Sequence, residues 1–293
     1  FNINSPKQLG DILFDKLGLK PKNQKKTAGG QRSTKESELE KMQDMHVIIP
    51  KLLRYRELQK LVSTYVDTLP TQVDADGRVR TTFLQTGSVT GRMASKNPGL
   101  QNIPIRTEES KSIRRAFVVD DGYTMVGIDY SQIELRIAAI MSHDSKMVDI
   151  FHRGEDVHTG VAVRVFGVNA DEVTSEMRRK AKVINFGILY GIGVNALRTN
   201  LGEGTSREEA QSFFNAYFQT FTRLAEYLEE TKEFARKHGY TETLFGRQRH
   251  FPGITSNAPF IRAQAERMAI NAPIQGTAAD VMRVAMNRVY QYF

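Results

Sequence analysis

An acid at the junction of an apolar run and a helix is the first feature of this chain that could do chemistry. Tyr123, Thr124, Met125, Val126 and Ile128 form a β-prone run that ends on Asp129, and the pattern predicts a strand. Beyond it Ile133, Ile137, Ile140 and Met141 recur at helical spacing, leaving Gln132, Glu134 and Arg136 off the apolar stripe. A carboxylate ending a buried strand would be rigidly held and partly dry. That arrangement suits a divalent cation in phosphoryl chemistry, which asks for hard oxygen ligands on a fixed backbone. On spacing alone the simpler reading is an acid that caps the following helix, and both stay open at this point.

A second pattern lies between Ser175 and Tyr190, in a stretch with the character of a helix. Arg178, Lys182, Phe186 and Tyr190 recur every fourth residue, which confines them to about a third of the helix circumference. Two cations followed by two rings do not describe a core face. They suit a ligand with a phosphate tail and a flat ring, the cations meeting phosphate and the rings packing on sugar or base. A solvated basic face running into a buried aromatic end has the same spacing.

The elements that must position these groups follow from the rest of the chain. Thr86 to Thr107 is rich in Gly, Pro, Asn, Ser and Thr and carries Arg92, Lys96 and Arg106 without an acid. An ordered polar loop of this kind suits contact with phosphates and base edges. Lys20 to Lys35 is also basic and free of acids, and is expected to be a mobile loop. Thr71 to Thr86 predicts strands around the turn Asp76-Gly77, and Tyr240 to Phe251 a basic hairpin around Gly246. A short helix is expected around Leu9, Ile12, Leu13 and Leu17, started by Ser5 and Pro6, and two helices between residues 34 and 67. In the second of these Leu52, Tyr55, Leu58, Val62 and Tyr65 are assigned to the core.

Residues 205–238 read as helical, with a capping box at Ser206 and Glu209, a stop at Gly239, and core rings at Phe213, Phe214, Tyr217, Phe218 and Phe221. One helix from Arg262 to Asn271 should end near Pro273, and a last one should run from about Thr277 to Tyr292. His143, Asp144, His152, Glu155, Asp156 and His158 match no zinc-ligand spacing, so a turn-rich connection is the better reading, with His158 near a helix start.

Composition narrows the partners. A net charge of +8 and a pI near 9.5 point to a polyanion, nucleic acid first. With no cysteine, disulfides, thiolate metal sites and cysteine nucleophiles are excluded. No apolar run approaches the roughly 20 residues of a membrane span, and a cytoplasmic protein of several subdomains is expected.

Taken in order, TGRMASKNPGLQNIPIRT at 90–107, DYSQIELR at 129–136, RRKAKVINFGILYG at 178–191 and ERMAINAPIQGTAAD at 266–280 resemble the polymerase region of family A DNA polymerases. The resemblance implies an α+β right-hand polymerase, with an antiparallel palm sheet, helical fingers and a partial helical thumb. Residues 1–68 would be partial thumb, 69–155 the first part of the palm, 156–258 fingers, and 259–293 the second part of the palm. Two Mg²⁺ ions, primer-template DNA and dNTPs are the implied cofactors and partners.

Roles come with the same resemblance. Asp129 matches a metal-binding catalytic aspartate, with the Tyr130 carbonyl as a further metal ligand. Tyr130, Ser131, Gln132, Ile133 and Glu134 fall in the nucleotide-binding motif, Glu134 crowding the sugar 2′ position. His158, Arg178 and Lys182 match groups on the triphosphate, Lys182 also being the implied proton donor to pyrophosphate. Phe186 and Tyr190 match the rings over the nascent base pair, and Arg92, Asn102, Arg267, Asn271 and Gln275 match DNA contacts.

The family's His-Asp-Glu triplet, which carries its second catalytic carboxylate, does not occur in the sequence. A further palm segment bearing it, in this or another chain, is therefore expected, and 1–293 alone is expected neither to extend a primer nor to stay well folded. The competing readings are a primer-template-binding module without catalysis and a single-subunit RNA polymerase relative. Glu134 disfavours the latter, since a ribonucleotide user gains nothing from a blocked 2′ position.

Overall fold

Ser5 and Pro6 begin the first helix as their chemistry requires: the Ser5 hydroxyl accepts the Gln8 N–H (3.5 Å), and proline occupies the first turn of Pro6–Gly10. The computed structural model describes all residues except 22, 23, 28, 106, 203 and 293. They form two compact units, residues 1–82 with 95–125, and residues 83–94 with 126–293.

In the first unit the Pro6–Gly10 helix passes into a π-helical turn, Asp11–Lys16, so that Leu9, Leu13 and Phe14 pack on Leu39, Met42, Ile49 and Leu52. The helix Ile48–Leu61 likewise enters a π-helical turn, Val62–Val66. That turn changes the phase of the side chains. Leu52 and Tyr65 are buried, whereas Leu58 and Val62, also expected in the core, are exposed.

The described residues of the basic segment make defined contacts. Lys26 and Arg32 pair in an antiparallel bridge, and the Lys25 N–H donates to Glu38 (3.1 Å). Arg32 pairs with Asp15 and lies 4.7 Å above the Phe14 ring. The turn at Asp76-Gly77 is as read: Gly77 takes φ +79°, the Asp74 N–H donates to the Arg78 carbonyl (2.8 Å), and Val73 bridges Val79.

The second unit is largely helical. Helices Ile133–Ser142, Val157–Phe166, Ser175–Leu189, Arg207–Thr220 and Thr222–His238 share one core that includes Leu135, Ile150, Val161, Ile184, Tyr217 and Phe221. The Ser206 hydroxyl accepts the Glu209 N–H (3.0 Å), and Gly239 ends the run with φ +79°. The helical stretch from 205 to 238 is nevertheless two helices, because Phe221 leaves helical φ/ψ and sinks its ring fully into the core. The hairpin pairs Tyr240–Glu242 with Gln248–His250 around Gly246.

Pro273 does not end a helix. Pro259–Tyr292 is continuous, although proline removes the N–H that would serve the carbonyl of residue 269. The buried Thr241 hydroxyl donates to that Ala269 carbonyl (3.3 Å), and Thr277 four residues on accepts the Leu244 N–H (3.0 Å). Tertiary hydrogen bonds from the hairpin thus replace what the local sequence lacks.

The largest departure concerns residues 123–130. They are not a strand, and all are exposed: Tyr123 by 75%, Val126 by 73%, Ile128 by 76%. Strands among the described residues are confined to Thr82–Leu84, Ala94–Lys96, Tyr240–Glu242 and Gln248–His250. A strand exists only through pairing, and no described residue pairs with this run. The protein is mostly helical with small antiparallel sheets, and the palm sheet expected around Asp129 is not among them. No described helix is long and apolar enough to cross a membrane.

Candidate active site

Glu134 sits in the first turn of Ile133–Ser142 and is only 7% exposed. The expected stripe on this helix is rotated: Leu135, Ile137, Ala138 and Ala139 are buried with Glu134, whereas Ile140 is exposed. A buried carboxylate needs partners, and Glu134 has two. Arg92 pairs with one oxygen, and the Tyr190 hydroxyl donates to the other (2.9 Å). Burial pushes the Tyr190 phenol up, and the Glu134 charge and hydrogen bond add to it against Arg92. Arg92, expected on DNA, is therefore held by Glu134 here.

Asp129 does not cap the helix. Gln132 stands at the N-cap with left-handed backbone (φ 55°) and makes no side-chain cap bond. Ser131 lies beside it, its carbonyl accepting from Arg136 Nε (3.0 Å), and Ile133 packs against the core. Asp129 and Tyr130 are exposed and make no hydrogen bond or ion pair among the described residues. The dry, rigid setting expected for Asp129 is thus absent.

Asp156 is the partner that sequence reading missed. It caps Val157–Phe166 by accepting the Thr159 N–H (2.8 Å) and hydroxyl (2.8 Å), and it receives Arg178 through Nε and a terminal nitrogen, both at 2.9 Å. Gln132 Nε2 reaches it at 3.5 Å. Its cap was visible in the spacing Asp156 to Thr159, but its pairing with Arg178 was not. Burial pushes the Asp156 carboxyl up, yet the Arg178 and Thr159 hydrogen bonds outweigh it and hold the group at about 2.

The sign of the resulting pH dependence follows. A depressed carboxyl stabilises the fold above the ordinary value of 3.8, and that contribution is lost as pH falls toward about 2. Asp156→Asn keeps a capping side chain, so it should lower stability at neutral pH by only about 1 kcal/mol or less. Thermal unfolding from about pH 6 to about pH 2 should show a smaller acid loss in the variant than in the parent; equal slopes would remove the ion pair from the explanation.

The stripe on Ser175–Leu189 forms as expected, with Tyr190 at the C-cap. Phe186 and Tyr190 stack at 6.2 Å between centroids, and the His158 ring stands 5.8 Å from Phe186. Lys182 is exposed and forms no ion pair among the described residues. His158 is buried against Asn185, whose Nδ2 lies 3.1 Å from His158 Nδ1. Burial pushes the imidazole down, and Arg178 and Lys182 add to this against Asp156.

Arg267, Asn271 and Gln275 follow one another at four-residue intervals on Pro259–Tyr292 and are partly or fully exposed between buried positions. Gly191 (φ +67°) abuts this helix: a Cβ there would come within 2.9 Å of Ile270 and 3.2 Å of the Arg267 side chain. Residues 86–94, the part of the polar loop in this unit, are fastened by Arg247 and Arg283. Arg247 donates to the Thr90 and Gly276 carbonyls (both 3.0 Å) and pairs with Asp280 (2.9 Å), while Arg283 donates to the Gly91 carbonyl (2.8 Å). Arg247 and Arg283 were not singled out for this role by the sequence.

Asn102 belongs to the first unit, on the turn Leu100–Asn102, where its carbonyl accepts from the Tyr65 hydroxyl. Arg106 lies outside the described residues. Among the described residues no three His, Asp or Glu side chains converge on a metal position.

The second unit thus lines up two cations and two rings along one helix, with a clamped carboxylate at the aromatic end. The family model for DNA polymerase family A matches residues 1–293, and the chain belongs to that family. It is similar to the thermostable DNA polymerase I of Thermus aquaticus, 47% identical over 291 residues, covering 99% of this chain and 35% of the relative. DNA polymerase I of Caldicellulosiruptor bescii is also 47% identical, over 292 residues, covering 99% and 34% respectively. The chain thus spans about a third of the length of these relatives. A solved structure, the POL domain of Pol1 from M. smegmatis in complex with DNA primer-template and dNTP, superposes with a TM-score of 0.90 at 43% identity. That match covers 100% of this chain and 51% of the other.

Proposed function

We propose that this chain is the main part of a template-directed DNA polymerase site, transferring deoxynucleotides from dNTPs to a primer 3′-hydroxyl. The observation that carries the reading is the row Arg178, Lys182, Phe186 and Tyr190 on one helix face, with Glu134 clamped at its aromatic end. Arg178, Lys182 and His158 receive the triphosphate, Phe186 and Tyr190 pack on the base pair, and Glu134 faces the sugar. Residues 130–133 complete the nucleotide side, Arg92, Arg267, Asn271 and Gln275 contact DNA from this unit, and Asn102 contacts DNA from the other unit. In this layout 1–68 is partial thumb, 69–155 and 259–293 are palm, and 156–258 are fingers.

The Asp129 carboxylate and Tyr130 carbonyl are hard oxygen donors that fit Mg²⁺. When bound, a pair of such ions activates the attacking hydroxyl and neutralises the leaving pyrophosphate. One acid is too few for two dications, and 123–130 forms no strand among the described residues and presents bare apolar side chains. The second acid therefore comes from a further segment, in the same or another chain, that pairs beside this run. The same lack of a second acid favours one alternative, a module that binds primer-template without catalysis.

Substitutions on the row test the nucleotide assignment, with extension read in the presence of that segment. Lys182→Ala should weaken dNTP binding and lower the maximal rate by on the order of 10²-fold, because charge on the leaving pyrophosphate grows in the transition state. Phe186→Tyr should chiefly improve acceptance of dideoxynucleotides. Parent-like behaviour of both variants with every substrate would make the row structural.

A further inference from the structure

We infer that Asn185 is a positioning residue that dictates which ring nitrogen of His158 carries the proton, a role that rests on His158 meeting the triphosphate as proposed above. Asn185 lies in the middle of Ser175–Leu189, 0% exposed, with Ile184 and Ile188 of the core beside it. An amide in such a place is costly unless satisfied. Its Nδ2 meets His158 Nδ1 at 3.1 Å, and its Oδ1 has no hydrogen-bond partner. Nothing in the packing calls for that oxygen, and the amide is accounted for by what it does to the imidazole.

The chemistry is a matter of donors and acceptors. A neutral imidazole has one N–H and one lone pair. When the Asn185 amide donates to Nδ1, the lone pair is on Nδ1 and the proton on Nε2, the nitrogen not engaged by Asn185. That tautomer can donate to a phosphate oxygen, whereas the opposite one would set lone pair against lone pair. The charged groups that act on the ring are Asp156 at the start of its own helix and Arg178 and Lys182 on the facing one. Burial and the two cations favour the neutral ring over the charged one, and a neutral ring depends on its tautomer to act as a donor.

An amide also serves the other state. Charge on an arriving triphosphate favours imidazolium, which has N–H groups at both nitrogens. Asn185 can then turn its amide and accept Nδ1–H through Oδ1, the atom now without a partner. Aspartate at this position could only accept, and leucine could do neither.

The test is nitrogen NMR of the chain labelled with ¹⁵N-histidine and joined by the further segment proposed above, with His158 assigned by its absence in His158→Gln. Near neutral pH the parent should show Nε2 protonated and Nδ1 bare. Asn185→Asp, close in shape, should move the proton to Nδ1 and raise the midpoint of the ring by about 1–3 pH units. Asn185→Leu should give mixed tautomers and weaken binding of inorganic tripolyphosphate several-fold. A parent ring protonated at Nδ1, or an Nε2–H pattern unchanged in both variants, would overturn the inference. The expected tautomer pattern upholds it whatever the ligand does. His158 signals that ignore added tripolyphosphate would instead count against the placement of His158 in the nucleotide site.

Discussion

Asp129→Asn is expected to fold as the parent does and to lose primer extension by at least about 10³-fold, the worth of several kcal/mol of metal-borne charge stabilisation. Folding should be spared because the carboxylate is exposed and makes no hydrogen bond or ion pair among the described residues. Extension should be lost because the neutral amide is a weak ligand for a hard dication. Single-turnover extension with the further segment present, alongside thermal unfolding, separates the two effects. A variant with near-parent rate would take Asp129 out of the mechanism, and one with a large drop in unfolding temperature would give it a structural role that its exposure does not suggest.

Glu134→Ala should do the reverse on both counts, costing stability and widening substrate choice. The carboxylate is buried and binds Arg92 and the Tyr190 hydroxyl, so truncation leaves two polar groups short of a partner, at about 1–3 kcal/mol. The vacated space beside the sugar should admit a 2′-hydroxyl, reducing the preference for deoxynucleotides by about 10- to 200-fold, the range of a single small steric element. Glu134→Gln keeps the shape but weakens the pairing with Arg92. It should lose stability while still excluding ribonucleotides, because the selection is by occupied volume. If Glu134→Ala discriminates as strictly as the parent, another residue is the gate.

What the sequence could and could not reveal divides by range. Features closed by a few neighbouring residues were legible: the turns at Gly77 and Gly246, the Ser206 cap, the Gly239 stop, and the four-residue spacing of Arg178, Lys182, Phe186 and Tyr190. Where a distant group decides, local reading failed. Pro273 was expected to end a helix, but Thr241, far earlier in the chain, donates to the carbonyl it orphans. The run 123–128 has the composition of a strand, yet a strand needs a partner that no described residue provides. The candidate site divides in the same way: its residue types were visible along the chain, whereas Arg92 with Glu134 and Asp156 with Arg178 are tertiary pairs. Asn185 stood in plain view within the motif, but only its burial against His158 marked it.

The central claim is a site for template-directed nucleotidyl transfer that holds one acid at Asp129 and takes another from a further segment. It is tested most directly by primer extension with a mass-verified 293-residue chain, assayed with and without an added polypeptide bearing His-Asp-Glu. The account predicts template- and Mg²⁺-dependent extension only when that polypeptide is present, and loss of it when its aspartate is replaced by alanine. Extension by the 293-residue chain alone would contradict the account, because the second acid would then have to lie within these residues.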